Sequence, residues 1–214
     1  MFVPTTLASL ATAMTRTAWA ADLARKQLAR SLPRRWSHTQ GVAARSRKIA
    51  PMLGDHAELV EAAAWLHDIG YAPELVDTGF HPLDGARFLR ASGTCDELCS
   101  LVAHHTNALH EARERGLADA LQEEFDRPPD LLLSALTYCD LTTSPDGTRV
   151  SPRERINEIL ARYADDHPVH RAVQPESANL LAIAENVARR AAAMPRSSLT
   201  EPGQYGNETG RRLL

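Results

Sequence analysis

An imidazole and a carboxylate stand side by side at the end of an apolar segment, and nothing else in the chain constrains its fold as much. In Ala64-Trp65-Leu66-His67-Asp68-Ile69-Gly70 both groups follow directly on residues that must be buried. Neither tolerates burial without a partner. At about 100° per residue, His67 shares a helical face with Val60 and Ala63. His38 falls in the same way on the stripe of Val42 and Ile49, and His105 on that of Leu98 and Leu101. Histidines from separate helices therefore aim into one interior. They need hydrogen-bond partners or a metal ion. Imidazole together with carboxylate suits iron, manganese, cobalt or zinc, and Asp68, unlike a histidine, can bridge two ions.

The punctuation around these residues predicts an all-α protein. A helix from about Thr15 to Leu32 ends at Pro33-Arg34-Arg35, and Ser37-His38-Thr39-Gln40 has the form of a capping box that opens the next, to about Leu53. Asp55-His56-Ala57-Glu58 opens a helix that stops at Gly70, Pro82 to Ala91 a short one, and Thr94-Cys95-Asp96-Glu97 one that reaches His105. Leu117–Phe125 and Pro129–Asp140 follow. Ser151-Pro152-Arg153-Glu154 is a cap with proline at the first helical position, opening a helix to Ala164. A last helix runs from about Pro175 to Ala193. Aromatics are only 5% of the chain while alanine is abundant, which favours helices packed through small residues over a sandwich or barrel. The 214 residues ask for one domain, residues 1–194, followed by a polar tail at 195–214 that reads as disordered.

A formal charge of −3 speaks against a protein held to nucleic acid or membrane by bulk electrostatics. It leaves room for a small anionic ligand, because a basic cleft needs few arginines. The three cysteines make no disulfide framework: Cys95 and Cys99 have no second pair to complete a zinc site, and Cys139 reads as a small buried hydrophobe. No apolar run reaches membrane-spanning length, and Met1–Ala21 lacks the basic start of a signal peptide, so a cytoplasmic location is expected. Trp36 reads as a core residue against the first helix, or as a surface for stacking a base. Thr142 and Thr143 either orient Asp140 or cap its helix.

Taken in order, His38, His67-Asp68, His81-Pro82-Leu83-Asp84-Gly85-Ala86, Val102-Ala103-His104-His105-Thr106 and Asp140 resemble the stations of the HD superfamily of metal-dependent phosphohydrolases, in the variant whose doublet continues as His-Asp-Ile-Gly. The resemblance spans residues 34–143. It implies a compact multi-helix bundle around a buried metal site. His38, His67, Asp68 and Asp140 would hold one ion; Asp68, His81 and one or both of His104 and His105 would hold a second. The implied activity is hydrolysis of a phosphoester or phosphoanhydride in a nucleotide or other small phosphorylated metabolite by a metal-activated hydroxide, with His67 and Asp68 at its heart. A di-iron oxygenase of the same fold and a non-catalytic regulatory module are the alternatives. Where a lysine commonly follows the glycine of that variant, this chain has Tyr71, so a cationic contact to phosphate is either missing or supplied from elsewhere. Arg35, Arg45 and Arg87, which flank the stations, are the candidates. The resemblance leaves the substrate and the number of subunits open.

Overall fold

Thr15 accepts the backbone N–H of Ala18 and opens the first helix of a computed structural model that describes residues 15–194. The polar tail at 195–214 and most of the leader-like stretch lie outside the described residues. The described residues form ten α-helices: α1 (Arg16–Leu28), α2 (Pro33–Ile49), α3 (Ala57–Leu66), α4 (His81–Ala91), α5 (Asp96–His104), α6 (Ala108–Arg115), α7 (Ala118–Glu124), α8 (Asp130–Leu141), α9 (Pro152–Arg162) and α10 (Pro168–Ala192). Among the described residues the only β-pairing is an isolated bridge between Thr143 and Arg149. No helix there is long and apolar enough to cross a membrane.

α3 is the axis of the bundle. Its consecutive alanines, Ala62, Ala63 and Ala64, are fully buried and let α1 and α2 approach closely through Ala20, Ala24 and Ala43. The main core extends from there through α4, α5 and α8, and Trp36 packs against it, its ring stacked on Trp65. A smaller cluster of Leu141, Ile156 and Leu180 fastens α9 and α10 to the end of α8.

Several helix boundaries differ from the expected ones, each for a local reason. Pro33 begins α2 instead of ending the helix before it, because its fixed φ and missing N–H suit a first turn; Ser37 lies inside the helix and donates to the Pro33 carbonyl. Asp55 belongs to a 3-10 turn, Gly54–His56, ahead of α3. Thr94 caps nothing, since Cys95 is the N-cap residue of α5 and makes no side-chain cap. α6, Ala108–Arg115, is a helix not expected from the sequence, parted from the expected α7 at Gly116 with φ +69°. α10 starts at Pro168 and carries Pro175 in its interior, on an exposed face where the carbonyl it leaves unbonded meets water. The Ser151 capping box forms as expected, with Ser151 and Glu154 each bonding the other's backbone.

Candidate metal centre

α3 ends one residue before the doublet. His67 is its C-cap, with the backbone N–H still bonded to the Ala63 carbonyl, and Asp68 leads into a 3-10 turn, Ile69–Tyr71. This tightening sends the two adjacent side chains to different neighbours. A Cβ on Gly70 would meet the His81 carbonyl oxygen at 2.1 Å, and one on Gly85 would meet the Gly70 nitrogen at 3.0 Å. Glycine at both positions lets the turn lie directly on α4, which brings His81 to Asp68. In the first turn of α4, the buried Asp84 carboxylate accepts from the backbone N–H groups of Asp77, Thr78 and Gly79 and from the Thr78 hydroxyl, which fixes the loop that delivers His81.

Two groups of ligand-type atoms result. In one, nitrogens of His38 and His67 and an oxygen of Asp140 lie within 4.8 Å of one another; in the other, Asp68, His81 and His105 do. His38 Nδ1 donates to the Ser144 carbonyl, His67 Nδ1 to Ala64 and His105 Nδ1 to Val102, at 2.9, 2.9 and 2.7 Å. These bonds choose the tautomer that points a lone pair on Nε2 inward, the arrangement metal-bound histidines use. His38 Nε2 and His67 Nε2 are buried without a hydrogen-bond partner, although Asp140 Oδ1 stands 3.1 Å from the first. His81 Nε2 and His105 Nε2 face each other at 3.2 Å. Asp68 reaches both groups, with Oδ1 3.3 Å from His81 Nε2 and Oδ2 3.3 Å from His67 Nε2. The orphaned nitrogens and the nitrogen–oxygen donor set fit a divalent metal.

Charge points the same way. Burial favours the neutral form of both aspartates, yet Arg35 and His67 hold the Asp68 carboxyl well below its usual range, and His38 and Arg155 do the same for Asp140. Burial is the largest single influence on His67 and disfavours its charged form, but Asp68, Asp140 and the Ala64 carbonyl together raise the imidazole. A positive charge, proton or metal, therefore belongs between them. His105 is the opposite case: burial, and then His81 and His67, push it down to about 3, leaving a neutral donor.

Of the expected site residues, His38, His67, Asp68, His81, His105 and Asp140 come together. His104 does not: its Nε2 meets the Phe125 carbonyl at 2.8 Å, and it lines a separate cavity with Asn107 and Thr137. The helix ends at His104, His105 turns out of it with ψ 152°, and the chain reverses through Thr106 and Asn107 at positive φ. Of the three arginines, Arg35 alone reaches the centre, donating to Asp68 Oδ2 at 2.8 Å and lying 3.9 Å over the Tyr71 ring, which itself stacks on His81. Arg87 is paired with Glu124 and Asp77, and Arg45 stays half-buried on α2, apart from the cluster. Thr142 and Thr143 donate to the carbonyls of Tyr138 and Cys139, so they cap α8. A recess of about 80 Å³ opens over the cluster, walled by Asp68, His81, His105, Asp140, Arg155 and Tyr163 among others. Sequence reasoning missed Arg155, Arg162 and Tyr163. The signal was the spacing Arg155-Ile159-Arg162 along one face of α9.

Residues 35–144 match the HD domain family. Among curated proteins, the chain is 28% identical over 161 residues to Ribonuclease Y of Thermobifida fusca, covering 73% of this chain and 31% of that protein. It is 33% identical over 91 residues to Ribonuclease Y of Rubrobacter xylanophilus, covering 42% of this chain and 17% of that protein. The chain thus spans a third or less of the relatives it matches. No solved structure gives a significant match. With the family's region covering just over half its length and enclosing His38, His67, Asp68, His81, His105 and Asp140, the chain belongs to the HD domain family.

Proposed function

We propose that the protein is a metal-dependent phosphohydrolase that cleaves a phosphoester or phosphoanhydride bond of a nucleotide or another small phosphorylated compound. One observation carries this reading: buried, partnerless imidazole nitrogens face carboxylates, and Asp68 offers an oxygen to each ligand group. His38, His67 and Asp140 would hold one divalent ion, and Asp68, His81 and His105 another; iron, manganese, cobalt and zinc all accept such donors. An ion bound there supplies Lewis acidity toward a phosphoryl oxygen and lowers the pKa of water toward neutrality.

The chain's own residues prepare the rest. Backbone carbonyls hold the rings of His38, His67 and His105 so that no side chain must reorganise. Arg35 gives one of its five donors to Asp68 and keeps others for substrate oxygens, standing in for the lysine replaced by Tyr71. Tyr71 backs both Arg35 and His81, so the guanidinium and the imidazole keep a fixed spacing. The whole site lies in what we take to be one helical domain ending at residue 194.

A second reading, hydrolysis of a phosphodiester in RNA, is favoured by the name shared by both relatives, Ribonuclease Y. A panel of nucleoside monophosphates and short oligoribonucleotides, assayed with each metal in turn, separates the two by product. Hydrolysis should continue without oxygen, which an oxygenase could not manage. Asp68→Ala should abolish turnover of every substrate, and activity persisting in a folded variant would overturn the assigned site.

A further inference from the structure

Beside the recess lies a larger cavity of about 330 Å³, between the first turn of α2, the loop at Pro145 and α9. Arg35, Arg155 and Arg162 wall both spaces, so the two adjoin. Arg34, Arg35, Arg155 and Arg162 line the larger one, and among the described residues no carboxylate does. Their acidic partners, Asp146, Asp68, Glu158 and Asp140, are not part of its wall.

Two independent features ask for an anion here. The first is the N-terminus of α2, a 17-residue helix whose N-cap Leu32 offers no side-chain acceptor and whose first turn holds no acidic residue. Leu32, Pro33, Arg34 and Arg35 bring that end of the helix to the cavity wall. Backbone N–H groups and the helix dipole there favour phosphate. The second is Arg155, only 6% exposed, whose Nε has no hydrogen-bond partner. An unpaired donor on a buried guanidinium is expensive unless something meets it.

We propose that this cavity is a phosphate subsite, filled by a second phosphate of the same substrate whose reacting phosphate sits in the recess over the metal centre. The inference rests on the phosphohydrolase reading and narrows its substrate to a nucleotide that carries two phosphates. The volume exceeds what a phosphate alone needs, and Leu32, Pro33 and Pro145 supply apolar contact for the part that joins the two. Arg155 and Arg162 contact the second phosphate, and Arg35 stands between the two.

Calorimetric binding to the full, metal-loaded chain tests this, using adenosine 3′,5′-bisphosphate, adenosine 5′-monophosphate, and the monophosphate with inorganic phosphate added. If a compound is turned over, its KM is read instead. The bisphosphate should bind at least about tenfold more tightly than the monophosphate. Added phosphate should not restore the difference; if it does, the subsite takes free phosphate and the substrate assignment fails. Arg162→Gln and Arg34→Gln, both at exposed positions, should bring the advantage within about twofold, while Arg87→Gln should leave it intact. Arg155→Gln should do the same as Arg162→Gln if it folds, and the exposed pair decides the matter if it does not. Equal affinities, or an advantage that survives the Arg34→Gln, Arg162→Gln double variant, would overturn the proposal. A bisphosphate advantage in a protein that hydrolyses nothing would sink the proposed activity and leave the subsite standing.

Discussion

The two ligand groups differ in what they face. All three members of the second, Asp68, His81 and His105, line the recess, but of the first only Asp140 does. His67 is fully buried, and His38, 2% exposed, turns its Nδ1 to a loop clamped against α2: Gly147, at φ +80°, lies so close that a Cβ there would meet the Ser37 carbonyl at 2.2 Å. His81 sits at the first position of α4, partly exposed and backed by a stacked tyrosine. On the proposed reading these surroundings divide the labour: the first group would retain an ion, and the second would present one to substrate.

The sharpest way to break this contrast is to remove one imidazole from each group. His67→Ala should strip the centre of metal and lower kcat/KM by about a thousandfold or more. His81→Ala should leave about one tightly held ion per chain by elemental analysis, with weaker loss of activity. Equal metal loss in the two variants would end the distinction. Next in size is the seam that joins the groups. Gly70→Ala drives a methyl into the His81 carbonyl and should destabilise the fold by about 1–3 kcal/mol, read by denaturant unfolding. Metal at the second group should weaken before metal at the first.

Proton linkage gives a subtler test. Asp68 and Asp140, held below their usual values, contribute stability that is present above about pH 4 and lost as pH falls. His67, raised, contributes stability present below about pH 6.5 and lost as pH climbs through its folded value. His105, pushed down to about 3, works the other way, its contribution being lost as pH falls below about 6.5. Chelator-treated protein should therefore be most stable near pH 6.5 and lose stability on either side, about that value being where the opposing contributions meet. Loading the metal should move that optimum upward, because the cation replaces the proton. Thermal unfolding across pH, with and without chelator, would refute this if the two optima coincide. Smallest of all, Arg87→Gln breaks a half-exposed pair with Glu124 and should change stability by no more than about 1 kcal/mol, with activity intact.

How much of this was legible follows from what leaves a trace in one dimension. His38, His67 and His105 were placed by helical phase, since an imidazole on an apolar stripe has to point inward. Helical phase favoured His105 over His104 but did not exclude the latter, because a distorted helix end can reverse the order. Only the end of α5, set by backbone geometry, sends one to the centre and the other to Phe125. The start of α2 was misread because a proline can close one helix or open the next, and nothing local decides between them. The start of α10 was misread because a solvent-facing proline inside a helix looks like a boundary. Arg155 and Arg162 went unseen for another reason. They belong to a helix fastened by a separate small core, and their proximity to Asp140 arises from packing alone.

His67 and Asp68 share a peptide bond, yet each joins a different ligand group. The step from one group to the other is therefore covalent at its shortest point. Movements of the bundle cannot part the two groups, whose spacing is left to the torsions of these two neighbouring residues. On the proposed reading, a substrate spanning both groups would meet donors tethered one residue apart.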